Sequence, residues 1–284
     1  MTTAINGKVY LVGAGPGDPE LLTVKAHALL RAADVIFHDD LVPPAILALA
    51  SPHAMAVNVG KRYGMKSITQ EEINRLMIGS AQRGLRVVRL KSGDPGIFGR
   101  LAEERDALEA AGVPYEIVPG VTAALSAAAS LGASLTDRRT GSRIVVITAQ
   151  RAHENAGDPP TDWRGLANNE TTLAIYMPGR NVAGLQKELL DAGLDATTPA
   201  AIVSRASTPA ERVFRTTLAE LHDAPPMDAP SILLLGRPLA HTAQHAGHCV
   251  LLAWGPAPHA TELLHESGIA AAATATDSER RVTS

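Results

Sequence analysis

One cysteine, Cys249, stands among 284 residues, so no internal disulfide framework can form and the chain fits a reducing compartment. Aromatics make up only 3% of the residues, and no window interleaves them with clustered Lys and Arg. That removes the stacking platforms and basic tracts of a protein whose main partner is nucleic acid. No uninterrupted apolar run approaches the ~20 residues of a membrane span, and the N-terminus lacks a basic stretch followed by an apolar one. Zinc-type Cys/His spacing is missing from the main body. These absences predict a soluble, cytoplasmic protein with no nucleic acid, membrane or metal among its partners.

What remains is an ordinary α/β composition, with 19% charged residues and a formal net charge of −3. At 29.7 kDa the chain has room for one large core or two modest ones, and two suits ~100–150 residues per domain. Strand-like and helix-like runs alternate through the first 120 residues, which predicts a parallel sheet with crossover helices. Strands are expected at 9–13, 34–39, 56–60, 85–91 and 115–118. Helices are expected at 19–33, 44–50 and 100–111, with another running from the capping box at Thr69–Glu72 to Gly84.

Pro119-Gly120 reads as a hinge into a second series. There, helices at 122–131 and 182–192 accompany strands at 143–148, 171–177, 200–204, 213–216 and 231–235, which predicts a smaller, mixed sheet. The expected organisation is α/β, with an N-terminal domain over 1–119, a C-terminal domain over 120–240, and an Ala/His-rich tail over 241–284. The tail has the composition of either a mobile segment or a domain remnant. His241, His245, His248 and Cys249 mimic a metal site there, but the Ala-rich context favours chance.

The first strand runs into Gly13-Ala14-Gly15-Pro16-Gly17-Asp18-Pro19. A dinucleotide-binding turn reads G-x-G-x-x-G and presents a bare helix N-terminus to a pyrophosphate. Here Asp18 takes the third glycine position and Pro16 lacks an N–H. Asp18-Pro19 also fits an N-cap followed by an N1 proline, so the protein's own carboxylate occupies the helix end. The turn therefore suits either a ligand without a pyrophosphate, of which S-adenosylmethionine is the commonest nucleoside, or no ligand at all.

In a parallel sheet the exit loops line one edge, where ligands sit at the switch in strand order. Gly13–Asp18, Asp39-Asp40, Lys61-Arg62 and Ser92–Gly96 would share that edge. Asp39 ends an apolar strand, where partial desolvation favours it as a proton acceptor; the plain alternative is that Asp39 or Asp40 caps the next turn. Lys61 and Arg62, extended by Arg100, Arg138 and Arg139, would give a cleft mouth suited to a polyanion, although solvated surface cations are the default. Small residues in Pro119-Gly120-Val121-Thr122-Ala123 would let backbone approach a ligand closely, or Thr122 caps a helix there. Tyr176-Met177-Pro178-Gly179 ends another strand at a glycine turn.

Taken together, Val12–Pro19, Phe37-His38-Asp39, Val59-Gly60-Lys61-Arg62, Val88–Pro95, Phe98-Gly99-Arg100, Val118–Ala123 and Tyr176-Met177 resemble the tetrapyrrole methylase family. The resemblance covers roughly residues 7–238, in order and at the family's spacing. It implies two α/β domains with the cofactor in the cleft between them, and a homodimer. It also implies transfer of two methyl groups from S-adenosylmethionine to uroporphyrinogen III, through precorrin-1 to precorrin-2, leaving S-adenosylhomocysteine and feeding siroheme and cobalamin synthesis. The implied cofactor contacts are Pro16, Ser92, Gly93, Asp94, Ile97, Thr122, Ala123, Met177 and Ala206. Asp39 matches the family's proposed proton acceptor and Lys61 its proposed proton donor, while Arg62, Arg100, Arg138 and Arg139 suit the substrate's carboxylates.

Several positions depart from the family pattern. Ser92 replaces the first glycine of Gly-Gly-Asp-Pro and fits only with a negative φ. Ala206 replaces another glycine, Leu101-Ala102 replace Gly-Gly, and Asp137 stands where histidine is common. The competing readings are a later precorrin methyltransferase of the same fold, an NAD-dependent oxidoreductase of the precorrin-2 dehydrogenase type, and a non-catalytic scaffold.

Overall fold

The computed structural model describes residues 7–60, 68–149, 161–166, 168, 170–179 and 182–241, and in them the alternation builds two sheets. Strands β1 (Lys8–Gly13), β2 (Val35–His38), β3 (Met55–Asn58), β4 (Arg86–Lys91) and β5 (Tyr115–Val118) form the first. All run parallel, in the order β3-β2-β4-β1-β5. Its central strands are largely buried on both faces, as a sheet covered on two sides requires, with Arg89 and Lys91 on β4 as buried charged exceptions. Helices α1 (Val24–Ala32) and α2 (Pro44–Leu47) set Leu30 and Ile46 against Val12, Ile36 and Leu90. On the other face, α3 (Gln70–Gln82) and α4 (Leu101–Ala110) set Ile73, Met77 and Leu108 against Val9, Leu11 and Phe37.

The second sheet holds β6 (Arg143–Thr148), β7 (Thr171–Tyr176), β8 (Pro199–Ser204), β9 (Arg212–Thr217) and β10 (Ser231–Leu235), in the order β6-β7-β10-β8-β9. Only β6 and β7 pair in parallel, so the sheet is mixed. It is not the smaller of the two, because β10 returns to insert between β7 and β8 and gives it five strands. Helix α5 (Ala123–Ser130) covers one face with Ala124, Ala127 and Ala128. Helices α6 (Trp163–Leu166) and α7 (Val182–Asp191) cover the other with Trp163, Leu185 and Leu189.

The single helix expected over 19–33 is two pieces. Asp18 accepts from the Glu20 N–H at 2.9 Å and starts a short 3-10 turn, Pro19–Leu21. Leu22 and Thr23 are extended, and Thr23 Oγ1 then caps α1 by accepting from the Ala26 N–H at 3.1 Å. Two competing caps lie five residues apart, and each begins its own turn. The capping box of α3 is present, with Thr69 Oγ1 accepting from Glu72 N–H at 3.2 Å and Thr69 N–H donating to Glu72 at 2.7 Å.

Because the first sheet is parallel, its strand ends share one edge: Gly13 pairs with Lys91, and His38 pairs with Asn58. Among the described residues no helix is long and apolar enough to cross a membrane. The segment 242–284, with His245, His248 and Cys249, lies outside the described residues.

At the opposite end of β1, Glu116 on β5 joins Lys8 on β1 and Lys25 on α1. Hydrogen bonds from Lys25 and then Lys8 hold the Glu116 carboxyl down to about 2, against an ordinary 4.5. A depressed carboxylate stabilises the fold above its unfolded pKa, and that contribution fades as the pH falls from 4.5 towards 2. The three side chains are 29–58% exposed, so the effect is small and salt-sensitive. Denaturation of Glu116→Gln across that window should show its deficit against the parent shrinking with acid, and also with salt at neutral pH.

Candidate active site

Two glycine loops meet where β1 and β4 end. Gly15 N–H donates to Gly93 O at 3.1 Å and Gly93 N–H to Gly15 O at 2.8 Å, so the loops pair as a miniature bridge. Left-handed φ values of +71° at Gly15 and +68° at Gly93 make this turn possible. Ser92 keeps a negative φ, which meets the condition for replacing a glycine, since Gly93 alone carries the left-handed turn. An added Cβ at Gly93 would meet nothing within 4 Å, so the face of this backbone is open.

Asp94 ties the second loop to the hinge. Its Oδ1 accepts from the Gly96 N–H at 2.8 Å and its Oδ2 from the Gly120 N–H at 3.0 Å, while Ile97 N–H returns to Asp94 O at 3.2 Å. Glycine is required at 120, where a Cβ would lie 2.3 Å from Gly93 O and 2.9 Å from Gly13 Cα. Both neighbours are backbone and cannot swing aside. Gly120→Ala is expected to cost about 1–3 kcal/mol by forcing the hinge away from the loops, read as a lower denaturant midpoint. Weaker nucleoside binding by calorimetry should accompany it.

The first turn of α5 is capped from the second sheet. Thr122 holds the N-cap position, the plain alternative for this segment, but its hydroxyl makes no cap bond and instead shares a 2.5 Å hydrogen bond with the Tyr176 hydroxyl, which also accepts from Ala124 N–H at 3.0 Å. The Tyr176 ring packs on Phe98, with centroids 5.1 Å apart. Phe98 and Met177, both 43% exposed, have left-handed φ values of +52° and +49°. Strain of this kind in non-glycine residues concentrates at functional sites. A further loop, between β8 and β9, closes the ring: it carries buried Ala206, and its Thr208 Cγ2 would lie 2.6 Å from a Cβ at Gly17. Thus Pro16, Ser92, Gly93, Asp94, Ile97, Thr122, Met177 and Ala206 lie on loops linked in series by these contacts, with Ala123 at the first position of α5.

The chemistry of this gap suits a nucleoside without phosphates. The segments 13–18, 92–97, 119–123 and 176–179 contain no Lys or Arg, and open backbone at Gly93 supplies the approach surface. A sulfonium would meet no cation from these segments.

Asp39 follows β2 on the same edge, its side chain 31% exposed. Behind it lies a buried ionic network that the sequence reading missed. Arg89, 3% exposed, donates to Asp39 Oδ1 and, through Nε, to Glu104 Oε1 at 3.0 Å. Lys91 Nζ reaches both Glu104 oxygens at 2.9 and 2.8 Å, and Gln70 adds a bond at 3.3 Å. Burial opposes the Arg89 charge, but Asp39 and Glu104 outweigh it and raise its pKa. Burial, then Arg89, push Lys91 down despite Glu104. The available signal was Arg89 and Lys91 two residues apart, hence on one face of β4.

Lys61 and Arg62 lie outside the described residues. Gly60, which precedes them, packs on Asp40, where a Cβ would lie 2.2 Å from Asp40 N. Arg100 is bidentate on Glu103 at 2.7 and 2.5 Å, and Arg139 on Asp137 at 3.0 and 2.7 Å; Arg138 is exposed. The Arg100–Glu103 pair is exposed on both sides and therefore weak, so a substrate carboxylate can replace Glu103 at little cost.

The sequence profile of the Tetrapyrrole (Corrin/Porphyrin) Methylases matches residues 8–222. The chain belongs to the tetrapyrrole methylase family. It is 44% identical over 248 residues to a uroporphyrinogen-III C-methyltransferase of Paracoccus denitrificans, covering 86% of this chain and 84% of that one. It is also 44% identical to a siroheme synthase of Psychrobacter sp., but that match spans 81% of this chain and 47% of the relative. The chain thus spans about half the length of the siroheme synthases it matches. Among solved tetrapyrrole methylases, a uroporphyrin-III C-methyltransferase of Thermus thermophilus, complexed with S-adenosylhomocysteine, superposes with a TM-score of 0.70 at 41% identity. That match covers 82% of this chain and 99% of that one. A cobalt precorrin-4 methyltransferase superposes with a TM-score of 0.73 at 33% identity, covering 82% and 95%.

Proposed function

We propose that this tetrapyrrole methylase is an S-adenosylmethionine-dependent C-methyltransferase that converts uroporphyrinogen III to precorrin-2 through precorrin-1. The observation that carries the reading is the Gly15–Gly93 bridge, which sets an open, cation-free backbone cradle on the strand edge that holds Asp39. The Paracoccus relative's name supports the substrate, and the Thermus complex supports the nucleoside.

Bound S-adenosylmethionine would supply an electrophilic methyl group, leaving S-adenosylhomocysteine. The cradle's task is to align that group with a pyrrole carbon, which is itself the nucleophile, so no covalent enzyme intermediate is needed. The ring cation formed by methylation must lose a proton, and Asp39 is the acceptor in this reading. Lys61 is the proton donor. Arg62, Arg100, Arg138 and Arg139 bind the substrate's carboxylates. Domains 1–119 and 120–240 flank the cleft, and the enzyme is a cytoplasmic homodimer whose sedimentation mass should be near twice 29.7 kDa.

Incubation with S-adenosylmethionine and uroporphyrinogen III under reducing conditions should yield a dimethylated tetrapyrrole by mass spectrometry. S-adenosylhomocysteine binding without that product would favour a later precorrin methyltransferase, the reading that the superposition on cobalt precorrin-4 methyltransferase supports. A dehydrogenase is disfavoured because Asp18 stands at the third glycine position of the turn, where its carboxylate would repel a pyrophosphate.

A further inference from the structure

The loop joining β8 to β9 contains two non-glycine residues in the left-handed region, Arg205 at φ +51° and Ser207 at φ +59°. Between them sits the buried Ala206. A residue with a Cβ resists this conformation, so surrounding contacts must impose it. One atom does most of that: Glu211 Oε2 accepts from the Ser207 N–H at 2.7 Å and from Ser130 Oγ on α5 at 2.6 Å. The Ser207 hydroxyl pairs with that of Ser126, also on α5. Arg205 is pinned by its N–H to Pro230 O at 2.8 Å, and its own carbonyl accepts from Thr208 Oγ1 at 2.7 Å.

We propose that Glu211 is a positioning residue for the cofactor pocket. It locks the 205–208 loop to α5, so that Ser207 and Thr208 are held against Gly17 of the first glycine turn. Two placements connect this lock to the pocket. Helix α5 begins at Ala123, so the helix that Glu211 grips is the one whose first turn carries Thr122 and Ala123. The other end of the loop abuts the first glycine turn, where a Cβ at Gly17 would lie 2.6 Å from Thr208 Cγ2 and 3.6 Å from Ser207 O. Glu211 therefore couples three segments that line the gap without itself contacting the ligand. The inference rests on the nucleoside reading of that gap.

Glu211→Ala should raise the KM for S-adenosylmethionine and the Kd for S-adenosylhomocysteine about tenfold, while kcat at saturating cofactor stays within about twofold. Adding Ser207→Gly should recover a large part of that loss, because glycine adopts the left-handed conformation unaided. If Glu211→Ala does not fold, Ser130→Ala, which removes a single bond to Glu211, should give a smaller rise in KM with kcat unchanged. An unchanged KM in folded Glu211→Ala, or a double variant no better than the single one, would overturn the proposal. Failure of the parent protein itself to bind S-adenosylhomocysteine would instead overturn the nucleoside reading.

Discussion

Asp39→Asn is expected to lower turnover by about 10²–10⁴-fold while S-adenosylhomocysteine binding stays near the parent value. Asparagine keeps an oxygen for the Arg89 guanidinium, so the side chain should stay in place; what it loses is the capacity to take a proton. Asp39 lies on the exit of β2, on a different strand from the Gly15–Gly93 bridge where the nucleoside is proposed to bind. The expected pattern is therefore a kcat effect with little change in cofactor affinity. Single-turnover methylation and calorimetry on one preparation separate the two, and unchanged turnover would remove Asp39 from the mechanism.

The second large effect concerns stability. Glu104 is fully buried and answers two buried cations, Arg89 and Lys91. Glu104→Gln removes the charge but keeps the volume, leaving both cations to the half-exposed Asp39. Removing one partner of a buried ionic set typically costs about 3–5 kcal/mol, since the remaining charge stays desolvated. Lys91 offers partial relief. Its proton affinity is already lowered by burial and by Arg89, and losing Glu104 lowers it further. The deficit should therefore be largest at acidic to neutral pH, where Lys91 is charged, and shrink in alkali as Lys91 deprotonates. Denaturant melts of parent and variant at pH 7 and pH 9 test both statements; a loss under about 1 kcal/mol would show that the network carries little of the fold's stability. Glu104→Gln with Lys91→Met should be less damaging than the single change, since one unpaired charge is gone.

The strand pattern was readable because its signal is local. Runs such as Tyr10-Leu11-Val12, ended by Gly13, and Val87-Val88 are apolar over successive residues and largely buried in the sheet. The glycine loops were readable for a similar reason, since glycine adopts the left-handed turns found at Gly15 and Gly93 without the penalty a Cβ brings. The strand order of the second sheet was not, because the place of β10 between β7 and β8 depends on pairing partners far along the chain. Helix 19–33 was misjudged where Asp18 and Thr23, two caps of similar strength, compete for one start.

Charged residues were harder to place. Arg89 and Lys91 look like interruptions in an apolar strand until Glu104, on a helix 13 or more residues later, is seen to neutralise them. Thr122 looked like a cap, and Tyr176, 54 residues away, took its place. Glu211 carried no sequence signal, since its role comes from a strained backbone four residues upstream and a serine on another element.

By itself the sequence determined the α/β class, the strand-end position of the loops and the family, because hydrophobic period and turn stereochemistry act over a few residues. Only the tertiary structure decided which loops face one another, which carboxylate answers each buried cation, and which side chains hold the strained cleft backbone. Those outcomes depend on contacts between residues distant in the chain, where burial makes each unpaired charge or hydrogen-bonding group costly enough to dictate its partner.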